Sequence, residues 1–520
     1  MQKKLSNEWI LIISLALFKL VIHFLTNTNY ELHRDAYLYL AQGDHLDWSF
    51  LSVPPTVAVI GNITRFLFGD SVFSIRLFPA IIGALSVVMI GLIIKNLGGK
   101  IWAILLGCMA FILSLAFLRS NTLFQPVTFD EFYWLLTTYF IVKLIQTKNP
   151  KFWIALGITW GVAFLAKYNI AFLVFAFLIA LVLTSDRKLL LSKYFLYGSA
   201  IALIVVLPNL IWQYNHKFPV VYHMTRLRET QLVHVRIIDF TMAQLLMNIS
   251  NIFVWLFGLV FVLFFKEGKK YRVLGYTYLT VILLYILLKG KGYYALGIYP
   301  ALFALGGFAI EKYSTGRLRF IKPVILSLMI LITIPSLPYS LPVLPIDKMV
   351  VYGEKSKKFG GEDALRWEDG KIHRLPQDYA DMTGWKELSD IVINTYNSLS
   401  DSEKADCALY AENYGEAGAI KYYGEKHSLP EPICFSESFL FWAPDNAKFH
   451  TLIYVNDDTA DVSYYFTSVK LVGRITDPYA RESGLPVWLC RTPRNGFEEC
   501  YAEKVKRIKD QFQREKKIAQ

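Results

Sequence analysis

The chain has 520 residues, a formal net charge of +12 and a composition that is 54% hydrophobic and 15% aromatic. Its mean hydropathy is +0.36, and its apolar residues are gathered in runs of about 17 to 22 residues, each long enough to cross a ~30 Å hydrocarbon core as a helix. These properties exclude an ordinary soluble enzyme and indicate a polytopic membrane protein.

The apolar runs begin at residues 9–25. Further examples are 75–94, 101–118, 129–145, 194–212, 251–265, 273–288, 295–310 and, interrupted by prolines, 323–344. Several connections between them are short and rich in Lys and Arg, so the positive-inside rule places these connections in the cytoplasm. Counting crossings gives about eleven transmembrane helices. An odd number of spans puts the C-terminal part on the outer side.

The segment HRDAYLYLAQGDHLDWSFLSVPP lies in the first outer loop and carries an acidic cluster that includes Asp35. The same membrane face receives Asp130 and Glu131. It also receives several cations against the positive-inside trend, among which are Arg226, Arg228, Lys289 and Lys291. These cations either pair with the carboxylates and lipid phosphates, or they hold a phosphate that enters from the bilayer.

Polar residues dominate from about residue 347, and the apolar runs shrink to strand length in CALYA, TLIYV, VKLVG and VWLC. They alternate with helical stretches at 385–399 and 417–423, which predicts a small α/β domain. We therefore divide the chain into a membrane domain, 1–345, and a soluble extracytoplasmic domain, 346–520. Within the latter, Asn413, Gly415 and Gly418 mark either an anion-receiving helix N-terminus or a plain strand-to-helix turn.

Four of the five cysteines fall in the soluble domain, where they could form two disulfides in an exported protein. They are Cys407, Cys434, Cys490 and Cys500, and the sequence allows three pairings. There is no C-x-x-C, H-E-x-x-H, Walker A or Rossmann pattern. We therefore expect no metal site, no cofactor and no nucleic-acid partner, and an activated substrate would be carried by a lipid.

The segment RDAYLYLAQGDHLDWSFLSVPP resembles the first outer loop of bacterial family 39 glycosyltransferases. These include relatives of the protein O-mannosyltransferases and, more distantly, the lipid A aminoarabinose transferases. The similarity continues through LFGDSVFSIRLFPAIIGAL, TFDEFYWLL, WIALGITWGVAFLAKYN, LPNLIWQYNHKFPV, GYYALGIYPALFALGG, DMTGWKEL and NYGEAGAIKYYG, and so covers most of the chain. It implies a GT-C fold and a sugar donor linked to a polyprenyl phosphate.

The resemblance implies that Asp35 is the catalytic base. The family has an Asp-Glu pair at this position, whereas Ala36 replaces the glutamate here. An acceptor hydroxyl is a poor nucleophile, and a carboxylate within hydrogen-bond reach can take its proton during attack. The alternative is a surface ion pair between Arg34 and Asp35.

The resemblance assigns a second acidic site to Asp130, which would orient the acceptor or a cation of an outer loop. The alternative is a helix start, where acidic residues are favoured. Arg34, Glu131 and His223 are further candidates for contacts with the acceptor or within the loops.

For the donor phosphate, Arg226 matches an arginine that contacts it in the aminoarabinose transferases. Arg228, Lys289 and Lys291 are additional candidates, although lysines at helix ends also reach the interface by snorkelling. Those transferases have a lysine before the loop proline where this chain has Val53, which disfavours a dedicated aminoarabinose transferase.

We therefore expect a polytopic α-helical protein of GT-C type in the bacterial inner membrane, in contact with membrane lipids. Its function would be transfer of a hexosyl or pentosyl group from an undecaprenyl-phosphate-like donor to a lipid, glycan or protein acceptor on the outer face. An alternative is a flippase or transporter of polyprenyl-linked lipids whose C-terminal domain is a binding module.

Overall fold

The computed structural model describes residues 5–446 and 448–514. Its N-terminal part is helical. The helices are α1 (Asn7–Phe24), α2 (Arg34–Asp44), α3 (Thr56–Phe68), α4 (Val72–Ile75), α5 (Leu77–Leu97), α6 (Ile101–Ile112), α7 (Leu115–Ser120), α8 (Pro126–Thr147), α9 (Phe152–Ala166), α10 (Ile170–Val182), α11 (Lys193–Asn215), α12 (Pro219–Thr230), α13 (Ile237–Leu246), α14 (Ile252–Phe264), α15 (Arg272–Leu287), α16 (Tyr299–Tyr313) and α17 (Ile321–Ser336).

Several of these helices have the length and apolar composition of membrane spans. Within the described residues, five segments are long and apolar enough to cross a membrane, and two bent pairs would raise the number to seven. Shorter apolar helices account for other predicted runs; the run at 101–118, for example, is divided into α6 and α7. The count of about eleven spans therefore stays a prediction.

Glycine allows two of the membrane helices to approach very closely. A Cβ placed on Gly157 of α9 would lie 2.1 Å from the carbonyl oxygen of Gly198 on α11. Small residues at helix contacts permit this backbone approach, which is a common source of packing energy in membranes. The α9–α11 pair therefore depends on both glycines.

The C-terminal part is the predicted α/β unit. It contains α18 (Ile346–Lys357), α19 (Gln377–Ala380), α20 (Trp385–Asn397), α21 (Asp401–Lys404), β1 (Cys407–Ala411), α22 (Tyr414–Gly424), α23 (Phe439–Trp442), β2 (Thr451–Val455), α24 (Ala460–Tyr465), β3 (Phe466–Arg474), β4 (Pro486–Pro493) and α25 (Phe497–Arg514). The strand order is β1-β2-β4-β3. The β1–β2 pair is parallel and the other two pairs are antiparallel. The predicted division at residue 345 falls between α17 and α18.

Helix α2 lies between the two parts and is buried on nearly all sides. Every residue from 36 to 43 is buried, and its apolar side chains share one core cluster with α20 and α22. Gly418 of α22 touches α2 so closely that an added Cβ would lie 2.8 Å from the Cβ of Tyr37. The segment that forms α2 therefore belongs to a shared core rather than to a solvated surface.

Charged side chains surround this contact. Arg65 of α3 donates to Asp44 over 2.7 Å, to Asp70 over 2.9 Å and to Glu425 over 2.5 Å. Lys421 of α22 lies 3.5 Å from the Asp44 carboxylate. Exposed pairs of this kind contribute at most about 1 kcal/mol each, so they set the register of the contact, and the burial of α2 supplies most of its stability.

Side chains at the start of α22 accept hydrogen bonds from its free backbone N–H groups. Asn413 accepts from the backbone N–H of Gly415, and Glu416 accepts from the backbone N–H of Asn413, in a capping box. The first turn also packs against Trp385 and Arg34 of neighbouring helices. The structure thus favours the capped turn over the anion-receiving helix start that the sequence left open.

Glu416 makes the stability of this contact depend on pH. Its carboxyl group is only 3% exposed, and burial raises its pKa to about 8, with a further contribution from Glu482. The unfolded carboxyl ionises near 4.5, so folding stability should fall between about pH 4.5 and 8, by up to about 1.4 kcal/mol for each pH unit. Glu416→Gln keeps an acceptor oxygen but cannot ionise. We expect it to melt like wild type near pH 5 and at a higher temperature near pH 8.

Thermal unfolding of the purified protein in detergent at both pH values measures this difference. The control is Glu498→Gln, which changes an exposed glutamate at the start of α25. It should leave the pH dependence unchanged. A Glu416→Gln protein that melts at the wild-type temperature at pH 8 would contradict the expectation.

Candidate active site

Asp35 occupies the first turn of α2, at the boundary between the membrane and soluble parts. His33 is the N-cap of this helix, and its Nδ1 accepts from the backbone N–H of Asp35 over 3.2 Å. An acidic residue is favoured here because helix N-termini carry partial positive charge. The Asp35 side chain keeps 27% of its surface exposed, so it is both anchored and accessible.

The two carboxylate oxygens of Asp35 are held by donors from different parts of the chain. Gln125 Nε2, which precedes α8, donates to Oδ2 over 2.9 Å. The hydroxyl of Tyr414, the first residue of α22, donates to Oδ1 over 2.8 Å. The orientation of Asp35 therefore depends on both the membrane domain and the soluble domain.

Arg34 points away from Asp35 and towards the soluble domain. Its guanidinium carbon lies 4.6 Å from the centre of the Tyr414 ring, and Nη2 donates to Asn413 Oδ1 over 3.1 Å. The described contacts therefore do not include the Arg34–Asp35 ion pair that was the alternative for these residues. Arg34 instead supports the ring whose hydroxyl group holds Asp35.

Tyrosines face the carboxylate from several sides. Burial raises the pKa of Tyr39 and Tyr414 well above the ordinary value, and the charge of Asp35 raises both further. Both phenols therefore keep their protons at neutral pH, which leaves Tyr414 a donor. Tyr293 and Glu437 are close enough to Tyr39 to contribute to the same shift, so they border the same site.

A buried cluster of charges lies behind His33. His33 Nε2 is 3.6 Å from Asp381 Oδ2 and 3.9 Å from Asp378 Oδ1. Arg481 donates to Asp381 over 3.0 Å, and Arg119 donates to Asp378 over 2.6 Å. Burial opposes ionisation of Asp381, but His33 and Arg481 outweigh it and lower its pKa to about 2.

His33, Asp378 and Asp381 also offer the one metal-like set of ligand atoms found in the described part of the chain, all within 4.8 Å of one another. Each carboxylate is already balanced by an arginine, however. A divalent cation would have to displace guanidinium groups that match the carboxylates in charge and geometry. We interpret the set as an ion-pair cluster that joins α2 to α19.

Asp130 lies deeper, in the second turn of α8. Gln125 is the N-cap of that helix, so Asp130 does not cap it. The side chain is 2% exposed; Oδ1 accepts from Trp134 Nε1 over 2.9 Å and Oδ2 accepts from Asn169 Nδ2 over 2.8 Å. Asp130 therefore ties α8 to the start of α10, and its catalytic role stays a prediction.

Glu131 turns in the other direction, towards the end of α7. Its Oε2 accepts from Ser120 Oγ over 2.8 Å, and its Oε1 is buried with no hydrogen-bond partner among the described residues. Its predicted role in acceptor or loop contacts stays a prediction.

The predicted phosphate-binding cations are spread over two segments. Arg226 and Arg228 are exposed on α12, and His223 of the same helix lies 3.4 Å from Glu437 of the soluble domain. Lys289, just beyond α15, is also exposed. The fourth cation, Lys291, already pairs with Glu368 over 3.1 Å. The structure brings α12 to the edge of the site, and the phosphate-binding roles stay predictions.

The cysteine predictions need correction. Cys407, Cys434, Cys490 and Cys500 are all free. Cys407 is on β1 and Cys490 on β4, and β2 lies between them. Two strand spacings are about 9.6 Å, whereas the Cα atoms of a disulfide lie within about 7 Å. Cys434 is instead buried and accepts from the backbone N–H of Ser436 over 3.3 Å.

Sequence reasoning missed the two groups that hold Asp35, Gln125 and Tyr414, and also Glu437 at the border of the site. Tyr414 lies inside the NYGEAGAIKYYG motif, and that motif was the available signal. Glu437 adopts a left-handed φ of 54°, a strained conformation for a non-glycine residue and one that is typical of functional sites. Only the structure reveals that strain.

Comparisons with known proteins bear on the fold. Residues 52–212 match the family model described as dolichyl-phosphate-mannose-protein mannosyltransferase. The crystal structure of ArnT from Cupriavidus metallidurans bound to undecaprenyl phosphate superposes with a TM-score of 0.62 at 13% identity, covering 93% of this chain and 98% of that chain. Its apo form gives 0.60 at 12% identity, covering 92% and 97%. No curated protein has a matching sequence. The chain is thus similar to this family over residues 52–212 and shares the fold of ArnT, in agreement with the resemblance to family 39 seen in the sequence.

Proposed function

We propose that this chain is an integral-membrane glycosyltransferase that moves one sugar from a polyprenyl phosphate to an acceptor on the outer face of the bacterial inner membrane. The observation that carries the proposal is the placement of Asp35. It is an accessible carboxylate fixed by Gln125 and Tyr414 at the junction of the two domains. The ArnT structure with bound undecaprenyl phosphate supports a donor of the same lipid class.

In the proposed reaction Asp35 takes the proton from an acceptor hydroxyl. The acceptor oxygen attacks the anomeric carbon, and a new C–O bond forms. The bond from that carbon to the phosphate oxygen breaks, and its electron pair leaves on the polyprenyl phosphate. Attack opposite the leaving group inverts the anomeric configuration. The acceptor is a lipid, a glycan or a protein, and the transferred sugar is a hexosyl or pentosyl group.

Negative charge grows on the departing phosphate, so a nearby cation lowers the barrier. Val53 stands where the aminoarabinose transferases have a lysine, so the cation must come from another segment. Arg226 is our first candidate because α12 reaches the edge of the site through His223. Lys291 would first have to leave Glu368.

The central test is Asp35→Asn, which preserves shape but removes the base. We expect turnover to fall by roughly 10²–10⁴, the usual contribution of a positioned acid or base, with donor binding little changed. The measurement is release of free polyprenyl phosphate by purified protein given donor and acceptor; a flippase would release none.

Asp47→Asn is the matched control, because Asp47 lies in the same loop and its side chain caps only the Trp48 N–H. Asp44 is unsuitable, since it pairs with Arg65. A folded Asp35→Asn protein with wild-type turnover would refute Asp35 as the base and make Asp130 the leading candidate.

Tyr414→Phe tests whether the soluble domain contributes to the site. It removes the hydrogen bond to Asp35 Oδ1 but keeps the ring beneath Arg34. One such bond to a charged group contributes about 1.5 kcal/mol, so kcat should fall about tenfold. The KM for donor should stay constant.

The control for this substitution is Tyr423→Phe on the same helix, whose hydroxyl contacts Tyr37 over 3.3 Å and should leave kcat unchanged. Equal turnover of Tyr414→Phe and wild type would mean that the soluble domain does not hold the base.

Arg226→Ala should weaken use of the donor more than use of the acceptor, because its proposed partner is the donor phosphate. Loss of one charge-assisted contact of about 1.5–3 kcal/mol corresponds to a donor KM about 10- to 100-fold higher. Arg236→Ala is the control, since Arg236 is exposed and pairs with Asp239. An unchanged donor KM in Arg226→Ala would remove this assignment.

A further inference from the structure

We propose that His33 is the positioning residue of this site: its neutral ring holds Asp35 ready to act as a base, and protonation of the ring withdraws Asp35 into an ion pair. The inference rests on the proposed function for Asp35 and adds a residue that acts through it. Three observations carry it, namely the contacts of Nδ1, the contacts of Nε2 and the charges that surround the ring.

The first observation is that Nδ1 acts as an acceptor. It faces the backbone N–H of Asp35 at 3.2 Å and the amide of Gln125 at 3.4 Å. The same Gln125 amide donates to Asp35 Oδ2 over 2.9 Å. A lone pair on Nδ1 therefore closes a small ring of contacts that fixes the Asp35 backbone, its carboxylate and Gln125 together.

The second observation is that Nε2 faces buried carboxylates. With Nδ1 as acceptor, the neutral ring carries its proton on Nε2, which points towards Asp381 at 3.6 Å and Asp378 at 3.9 Å. These carboxylates orient the ring by electrostatic attraction. Their own counter-ions, Arg481 and Arg119, keep both ionised.

A second proton on the ring would change these contacts. A proton on Nδ1 would face the N–H groups of Asp35 and Gln125, from which the unprotonated nitrogen now accepts. The nearest acceptor for it is Asp35 Oδ2, at 3.7 Å. A small rotation would form an ion pair with that oxygen and displace Gln125. The carboxylate would then be committed to His33 instead of to an acceptor hydroxyl.

The third observation, the charges around the ring, places this change above the pH at which an ordinary histidine titrates. The groups that face His33 are Asp35 from its own helix, Asp378 and Asp381 from the soluble domain, and the uncharged Gln125 from the membrane domain. Burial of the ring opposes its protonation, but the three carboxylates outweigh burial and raise the pKa of His33 above its ordinary value of about 6.5. Turnover should therefore fall as the pH drops through this raised pKa.

The test compares His33→Asn with His33→Ala. Asparagine is a strong N-cap that accepts from the same N–H, but it cannot take a proton. We expect His33→Asn to fold and to turn over within about threefold of wild type at pH 8. Its activity should persist to lower pH, so that it exceeds wild type near pH 6. His33→Ala loses the cap and, like asparagine, cannot take a proton, so it should be slower than His33→Asn by about tenfold at every pH, a defect that asparagine rescues.

Two further variants locate the effect. Asp381→Asn removes one carboxylate behind the ring, so it should move the acid limb of the pH profile to lower pH while it leaves Asp35 unchanged. His45→Asn is the matched control at the opposite end of α2, where His45 pairs with the exposed Glu431. It should keep the wild-type profile. Identical pH profiles of wild type and His33→Asn would overturn the proposal and leave the proposed function standing.

A measurement without substrate separates the proposed coupling of His33 to Asp35 from the proposed transfer reaction. The titration of His33 can be followed by NMR of the full-length protein with isotope-labelled histidine, assigned by comparison with His33→Asn. Asp35→Asn removes one of the charges that favour the protonated ring, so it should lower the pKa of His33. A His33 pKa that does not respond to Asp35→Asn would refute the coupling, whatever the transfer assay shows.

Discussion

The packing of α22 against α2 is the contact on which the rest of the site depends. It buries α2 from Ala36 to Gly43 and requires Gly418, because any side chain there would collide with Tyr37. Burial of the apolar side chains of α2 stabilises the junction far more than the peripheral ion pairs do. Once the two helices are in register, Tyr414 meets Asp35 and Arg34 meets Asn413 without further adjustment.

Electrostatic balance explains how so many charges are tolerated at this junction. Burying an unpaired charge is very costly, and three acids beside α2 have specific compensations. Glu31 accepts from the N–H groups of Trp385 and Lys386 at the start of α20. Asp381 has Arg481 and His33, and Asp378 has Arg119. The compensating groups come from the opposite domain in most of these cases, so the charges also specify how the domains fit.

The sequence could predict the features that local patterns report. Long apolar runs indicate spans, and CALYA and TLIYV coincide with β1 and β2. It could not predict that α2 is buried, because a helix with Arg34, Gln42 and several tyrosines has the composition of a surface element. Burial there depends on a partner helix that is distant in sequence. The breaks within the spans and the separation of Cys407 from Cys490 depend in the same way on tertiary arrangement and strand order.

Sequence motifs identified Asp35, the proposed base, but not the residues that hold it. Asp35 is predictable because it sits in a recognisable loop. Gln125 and Tyr414 are ordinary residues whose role arises from where their helices begin, and no local pattern distinguishes them. In the sequence, nothing marks His33 as functional beyond its place before Arg34. Its N-cap geometry and its two buried carboxylates become apparent in three dimensions.

The hydrogen bond from Tyr414 to Asp35 joins residues 379 positions apart, and this separation orders events during biosynthesis. A ribosome delivers the first loop to the membrane long before it makes α22. Throughout that interval Asp35 lacks one of its two donors, and the apolar surface of α2 has no cover. If Asp35 is the base, as proposed, a nascent or truncated chain cannot consume donor lipid efficiently. Completion of the C-terminal domain would then act as a checkpoint that links catalytic competence to a finished polypeptide.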